Sequence, residues 1–343
     1  MKWIAASTLL IAAGCGSQAA EQTAKPALPA LHADAARVAV VGISSGAAMA
    51  QQAHFAFSDK LAGAGLLAGP PFGCAEGDLN TALGRCMKGE PDKPDVAHLA
   101  TQVRALATAG KIAPITGLSG DRVLVLHGSG DALVAEPVSQ ASYALYGEFA
   151  KEGVKVKAKW DGERAFAHTW PTQDAGNACD ATESPFLGNC GFDAAGAMLQ
   201  AIFGKPSRQP AAHAEGKLIA FDQRTYLSDG RDAQLADEGL IYVAPSCAEG
   251  KSCGVVYAFH GCDQNVASVG ERFVQENGLN RWADAHDLAI VYPQARASFM
   301  PLNPKACWDW WGYTGPDYAT RDGAQLRWLA NLSAALGVPL VND

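Results

Sequence analysis

Residues 37–53 run RVAVVGISSGAAMAQQA. Arg37 to Val41 is a short β-branched run, the signature of a buried strand. Ser45 to Phe57 follows as a helix whose first turns carry only small residues. Between them sits Gly42-Ile43-Ser44-Ser45-Gly46, a G-x-S-x-G sequence in the strand–turn–helix setting of a nucleophile elbow. Glycines flank Ser44 because the turn is tight and a Cβ would clash. The turn would push the Ser44 hydroxyl out above a sheet, and the helix N-terminus beneath it would favour developing negative charge. The neighbouring Ser45 would face away, with its backbone N–H aimed at the same charge.

A serine hydroxyl needs a base, and the base needs an orienting acid. In α/β-hydrolases the acid and then the histidine follow the serine along the chain. Val123 to Leu126 reads as a strand, and it ends in His127-Gly128-Ser129-Gly130-Asp131. A carboxylate in a turn just beyond a strand suits the acid, so Asp131 is the candidate. His168, in Phe166-Ala167-His168-Thr169-Trp170-Pro171, is the candidate base on a loop after the strand Val154 to Trp160. His127 is the rival, read as making a structural hydrogen bond. His54 lies too far along the first helix to reach Ser44.

The remaining elements alternate. Leu61 to Leu67 reads as a strand, Pro70 to Asp95 as a loop, Val96 to Ala109, Val138 to Glu152 and Asp193 to Phe203 as helices. Residues 204–216, GKPSRQPAAHAEG, are Pro- and Ala-rich and read as an internal connection. Beyond it, Lys217 to Phe221, Leu240 to Pro245, Val255 to Phe259 and Ala289 to Tyr292 are strand candidates. Gly270 to His286 and Gly323 to Leu336 are helix candidates. Alternating strands and helices imply an α/β fold with a mostly parallel sheet and helices on both faces. Phe259-His260-Gly261-Cys262 resembles the loop that supplies the second oxyanion N–H in hydrolases, here the amide of Cys262. That loop normally precedes the serine, whereas here it follows by over two hundred residues. A circularly permuted α/β-hydrolase resolves the order: the strand at Arg37 to Val41 would sit mid-sheet beside the strand ending at His260, in a single domain over 34–343.

The 343 residues carry 35 acidic and 27 basic side chains, a net charge of −8, with 48% hydrophobic and 18% charged. This excludes a disordered chain and lacks the basic footprint of a nucleic-acid binder. No apolar run reaches the roughly 20 residues of a membrane helix. Residues 1–20 read as a signal peptide and 21–33 as a tether. Ala12-Ala13-Gly14-Cys15 resembles a lipoprotein box in which Cys15 would be lipidated, although Ala12 stands where Leu is usual; plain secretion is the alternative. Eight further cysteines are an even number, consistent with an oxidising compartment. Proximity suggests Cys74–Cys86, Cys179–Cys190 and Cys247–Cys253, leaving Cys262–Cys307. Zinc competes, but no C-x-x-C pair is present, so no metal or other cofactor is expected.

The segments VGISSGAAMAQQ, FAHTWPT, GNACD, SPFLGNCGFDAAGAML, FHGC, VYPQA and CWDWWGY together resemble extracellular short-chain-length polyhydroxyalkanoate depolymerases, the type whose serine box lies near the N-terminus. The resemblance spans about residues 34–336. It implies hydrolysis of poly(3-hydroxybutyrate) or its oligomers by a secreted or cell-envelope enzyme, with a triad on Ser44, Asp131 and His168 and oxyanion amides on Ser45 and Cys262. It also implies a substrate-contacting tryptophan among Trp308, Trp310 and Trp311, three indoles in four residues that cannot all face one way. A C-terminal polymer-binding domain, common among extracellular depolymerases, is not expected here. The partner is then a polyester, with a membrane reached only through Cys15, and the state a monomer. A feruloyl or acetylxylan esterase or a peptidase of the same fold is the enzymatic alternative; a non-catalytic polymer-binding lipoprotein is the other.

Overall fold

A computed structural model describes residues 1, 3, 27–228 and 230–341. Most of the leader, Cys15 included, and residues 21–26 of the tether lie outside these residues. In chain order the elements are β1 (Ala33–Ile43), α1 (Ser45–Ala56), β2 (Gly63–Leu67), α2 (Leu79–Leu83), α3 (Val96–Thr108), β3 (Arg122–Gly128), α4 (Glu136–Lys151) and β4 (Lys157–Arg164). Next come three short strands, β5 (Trp170–Thr172), β6 (Asn177–Ala178) and β7 (Leu187–Asn189), then α5 (Ala194–Phe203), β8 (Lys217–Asp222) and β9 (Glu238–Val243). The chain continues through α6 (Pro245–Ala248), β10 (Cys253–Phe259), α7 (Val266–Val269), α8 (Arg272–Glu276), α9 (Leu279–His286), β11 (Leu288–Tyr292) and α10 (Ala324–Ala335).

Eight strands form one sheet in the order β4-β3-β2-β1-β10-β11-β9-β8. Strands that precede residues 204–216 fill one half, and strands that follow fill the other. β1 therefore lies mid-sheet, parallel to β10 on one side and β2 on the other. β9 runs antiparallel to both β11 and β8, and the remaining pairs are parallel. This is the α/β-hydrolase sheet with its chain order rotated. The central strands are buried on both faces, with Val38, Val40, Val41, Val255 and Val256 at most 1% exposed, which is why they read as unbroken β-branched runs.

Helices cover both faces. A Cβ on Gly42 would strike Gly46 of α1, and one on Gly65 would strike Met198 of α5. Gly65 pairs with Val41, the neighbour of Gly42, so strand alternation puts α1 and α5 on opposite sides. The described residues contain no helix long and apolar enough to cross a membrane. Two expectations are corrected. The helix read over Gly270 to His286 is broken into α8 and α9, because Gly278 takes φ +87° and the Asn277 side chain caps the Leu279 amide at 2.8 Å. The loop read over Pro70 to Asp95 contains α2, capped by the Asp78 carboxylate on the Thr81 amide at 2.7 Å.

Candidate active site

Strand register assembles the site. Gly42, at the start of the elbow, pairs with Phe259, the last residue of β10, so the elbow and the His260-Gly261-Cys262 loop leave the sheet side by side. The Asp131 loop leaves the carboxyl end of β3 and the His168 loop that of β4, two and three strands along. All four lie outside the carboxyl ends of parallel strands, where ligands of open α/β sheets bind.

Ser44 carries the backbone strain of the turn, with φ 57° and ψ −122°, a conformation that costs a non-glycine residue on the order of 1–3 kcal/mol. Its amide is tied to Leu67 O at 2.8 Å, and its carbonyl receives the Ala47 and Ala48 amides. Gly46 must lack a Cβ: one there would lie 2.2 Å from Phe259 O and 2.4 Å from His260 O. That close approach lets the loop after β10 pack over the N-terminus of α1. The Ser44 hydroxyl makes no hydrogen bond to His168 here; the two residues meet as walls of one cavity, and such contacts often tighten only with substrate bound.

Asp131 and His168 are joined directly. His168 Nδ1 donates to Asp131 Oδ2 at 2.7 Å, which leaves Nε2 as the acceptor nitrogen. The other carboxylate oxygen accepts the amides of Leu133 and Val134 at 2.8 and 2.9 Å. Burial pushes the Asp131 carboxyl up, but the hydrogen bond and charge of His168 and the two amides outweigh it and hold the group below its ordinary value. The His168 amide donates to Thr182 Oγ1 at 3.1 Å, and the preceding Ala167 amide donates to Cys179 O at 3.0 Å. The Cys179–Cys190 bridge thus anchors the histidine loop. His127 is structural: its Nε2 donates to Val134 O at 3.0 Å and its ring stacks on Trp160, although it also stands 3.9 Å from Asp131 Oδ2. His54, in the last turn of α1, is fully buried and bonded to Tyr146 and Asp121.

The Ser45 amide opens α1 and so has no helical acceptor. The Cys262 amide donates to no acceptor among the described residues. Both residues line the cavity with Ser44, His168 and Gly261. The Ser45 hydroxyl turns away and accepts the Trp308 amide at 3.4 Å. Four disulfides join Cys74–Cys86, Cys179–Cys190, Cys247–Cys253 and Cys262–Cys307. The last clamps the loop after β10 to the tryptophan loop, helped by the Asp263 amide on Lys305 O at 2.6 Å and the Lys305–Asp263 ion pair.

The three indoles separate. Trp308 is fully buried, edge-on to Phe259 and against His260, and does not line the cavity. It is core, and its expected place among the substrate contacts is corrected: its amide is held by the Ser45 hydroxyl and its ring packs against Phe259 and His260 at the end of β10. Trp310 and Trp311 do line the cavity, packed edge to face. Sequence reading missed what holds them. The buried Asp309 carboxylate accepts the amides of Gly312, Tyr313 and Thr314 and the Thr314 hydroxyl at 2.6–3.0 Å. Burial pushes that carboxyl up and these bonds oppose the push. An Asp followed by Gly-Tyr-Thr three residues on was the available signal.

The cavity measures about 480 Å³. Apart from Ser44 and His168 its walls are largely apolar, with Leu79, Leu83, Met87, Leu133, Phe186 and Leu302 among them, and the Asp263–Lys305 pair at one side. Among the described residues no group of three or more His, Cys, Asp or Glu could hold a metal ion.

No family model matches the chain. It is 36% identical over 303 residues to a poly(3-hydroxybutyrate) depolymerase of Delftia acidovorans, an alignment covering 87% of this chain and spanning only 59% of that protein's length. A solved PHB depolymerase, a serine-to-alanine variant complexed with an R3HB trimer, superposes with a TM-score of 0.81 at 28% identity over 92% of this chain and 99% of its own. A polyhydroxybutyrate depolymerase of Talaromyces funiculosus is 32% identical over 90% of this chain and 91% of its own length. With likeness of that depth running end to end in both proteins, this chain belongs to the polyhydroxybutyrate depolymerase family.

Proposed function

We propose that the chain hydrolyses ester bonds of poly(3-hydroxybutyrate) and its oligomers through a Ser44–His168–Asp131 triad. The observation that carries this reading is the convergence of a strained serine, an Asp-bound histidine and two undirected amides on one apolar cavity. His168 Nε2 takes the Ser44 proton as Oγ attacks the ester carbonyl. The amides of Ser45 and Cys262 receive the oxyanion. The alcohol end leaves with the proton from His168, and water then releases the acid by the same steps, Asp131 stabilising the imidazolium throughout. Residues 34–343 act as one catalytic domain in monomeric form, without metal or organic cofactor.

The lining supports a polyester over a sugar ester. Sugar hydroxyls ask for several polar partners, whereas a methyl-bearing neutral repeat asks for apolar surface and few donors. Phe299, Met300 and Leu302 stand 88%, 92% and 54% exposed, and Leu302 also lines the cavity. An apolar strip continuous with a cleft suits contact with a solid substrate. Four disulfides support work in an oxidising compartment outside the cytosol; the anchor read at Cys15 is part of this proposal, and an intact mass lacking acyl chains overturns it.

The test is clearing of a poly(3-hydroxybutyrate) suspension, followed by turbidity; a purified chain that hydrolyses p-nitrophenyl esters and leaves the suspension cloudy sinks the substrate assignment. Trp310→Ala refines it. It is expected to weaken suspension clearing by about 1–2 kcal/mol while sparing p-nitrophenyl acetate, which is too short to reach the ring. Equal losses on both substrates would mean that Trp310 only supports the fold.

A further inference from the structure

The loop after β10 contains a histidine that the triad does not use. His260 is fully buried, packed against Trp308, and both of its ring nitrogens are engaged. Nε2 lies 3.1 Å from the Ala295 amide, and Nδ1 lies 2.7 Å from Gly261 O. A backbone amide only donates and a carbonyl only accepts. The proton is therefore on Nδ1, Nε2 is bare, and the ring is neutral. Burial acts in the same direction, pushing the imidazole down to about 4 against the pull of the Gly261 carbonyl.

This bond fixes more than a side chain. The peptide joining Gly261 to Cys262 is a rigid plane in which the carbonyl oxygen and the next N–H point in opposite directions. With Gly261 O held toward the ring, the Cys262 N–H is turned away from it. Ser44 and Ser45 line the same cavity as Gly261 and Cys262, and the Gly261 Cα faces Ser44 closely enough that an added Cβ would lie 3.5 Å from the Ser44 Cβ. Gln264 holds the preceding plane: its Oε1 accepts the Gly261 amide at 2.8 Å, and its Nε2 donates to Pro185 O and Phe186 O. Among the described residues no acceptor engages the Cys262 amide.

We propose that His260 is a positioning residue whose Nδ1–H, acting through the Gly261 carbonyl, aims the Cys262 amide at the oxyanion. The inference rests on the hydrolase reading above and deepens it. The Ala295 amide is the remote end of the device, because it keeps the proton off Nε2 and on Nδ1. An unprotonated Nδ1 would face the Gly261 carbonyl with two lone pairs and turn the plane away.

Two substitutions divide the ring. In His260→Asn the side-chain amide, attached at Cγ, stands where Nδ1 stood and keeps a donor for Gly261. In His260→Gln the polar group lies one atom farther out, where it can meet Ala295 but leaves Gly261 O without its donor. With p-nitrophenyl butyrate, His260→Gln is expected to lose roughly 10- to 100-fold in kcat with KM within about twofold, less than outright removal of an oxyanion donor. Phenylboronic acid, whose tetrahedral adduct on Ser44 fills the oxyanion position, should weaken by the same factor, and His260→Asn should stay within about fivefold of the parent on both readouts. Equal losses in the two variants, or a loss in KM rather than kcat, would overturn the proposal by reducing His260 to a packing residue. Should either variant fail to fold, ¹⁵N-histidine spectra of the unaltered protein decide: a neutral Nδ1–H ring supports the proposal and an Nε2–H ring overturns it. Fluorophosphonate labelling of the parent protein keeps the two claims apart. An unlabelled Ser44 defeats the hydrolase reading itself, whereas a labelled Ser44 with an indifferent His260→Gln defeats only this inference.

Discussion

Ser44→Ala is expected to lower ester hydrolysis on the order of 10⁶-fold, the scale of losing the nucleophile of a serine hydrolase, while the fold survives. The structure explains why stability should hold. Among the described residues no group is hydrogen-bonded to the Ser44 hydroxyl, so no such bond is lost with it. The unusual backbone at Ser44 is already borne by a residue with a Cβ, and alanine adds nothing that must be housed. Its backbone ties, the amide to Leu67 O and the carbonyl to the Ala47 and Ala48 amides, do not depend on the side chain. Ser45→Ala makes the control. It removes the long contact to the Trp308 amide but keeps the N–H assigned to the oxyanion, so most of the rate should remain. Rates on p-nitrophenyl butyrate with thermal melts read both quantities. Retained activity in Ser44→Ala together with loss in Ser45→Ala would reverse the assignment. The same variant separates an enzyme from a polymer-binding lipoprotein, since only an activated serine takes a fluorophosphonate.

What could be read in the sequence was local or was carried by register. Arg37 to Gly46 states its strand, turn and helix within ten residues, and Phe259 to Cys262 states a loop closing a strand. Neither says that the two touch. The permuted order supplied that expectation, and the pairing of Gly42 with Phe259 realises it in β1 and β10. Asp131 and His168, which meet at 2.7 Å, each follow a β-rich run, and that local signal is what made them candidates. The tryptophan loop was not. Residues 307–314 wind around the Asp309 carboxylate in neither a period of two nor of 3.6, so alternation cannot say which indole faces the cavity, and Trp308 went to the core. The small sheet of β5, β6 and β7 was equally silent, its strands two or three residues long, with Pro171 inside β5, Gly188 inside β7 and Gly176 just before β6. Within the single helix expected over Gly270 to His286, the left-handed backbone of Gly278 separates two helices. In each case the deciding interaction is a single side chain or dihedral, below the resolution of a pattern.

Asp131→Asn tests the same triad from its other end, and hydrogen-bond bookkeeping fixes the outcome. Oδ1 of Asp131 accepts two amides, from Leu133 and Val134, and Oδ2 accepts His168 Nδ1. An asparagine has one oxygen and one NH₂. Two backbone donors outvote one ring nitrogen, so the oxygen stays with Leu133 and Val134 and the NH₂ takes the place of Oδ2. It then points a donor at His168 Nδ1, which must give up its proton and accept. The proton moves to Nε2, the nitrogen that has to receive hydrogen from Ser44. A correctly placed ring in the wrong tautomer is expected to cost about 10⁴ in kcat. Loss of the carboxylate also removes the negative charge that would stabilise the imidazolium. Folding should tolerate the change, because each donor on the Asp131 side keeps a partner and the buried side chain becomes neutral. The Ser44→Ala/Asp131→Asn double variant should be no slower than Ser44→Ala alone, since a base has nothing to act on once the nucleophile is gone. A purified Asp131→Asn variant that kept kcat within about tenfold would show that His168 does not depend on Asp131 for its tautomer, and would return His127, which also approaches the Asp131 carboxylate, to consideration.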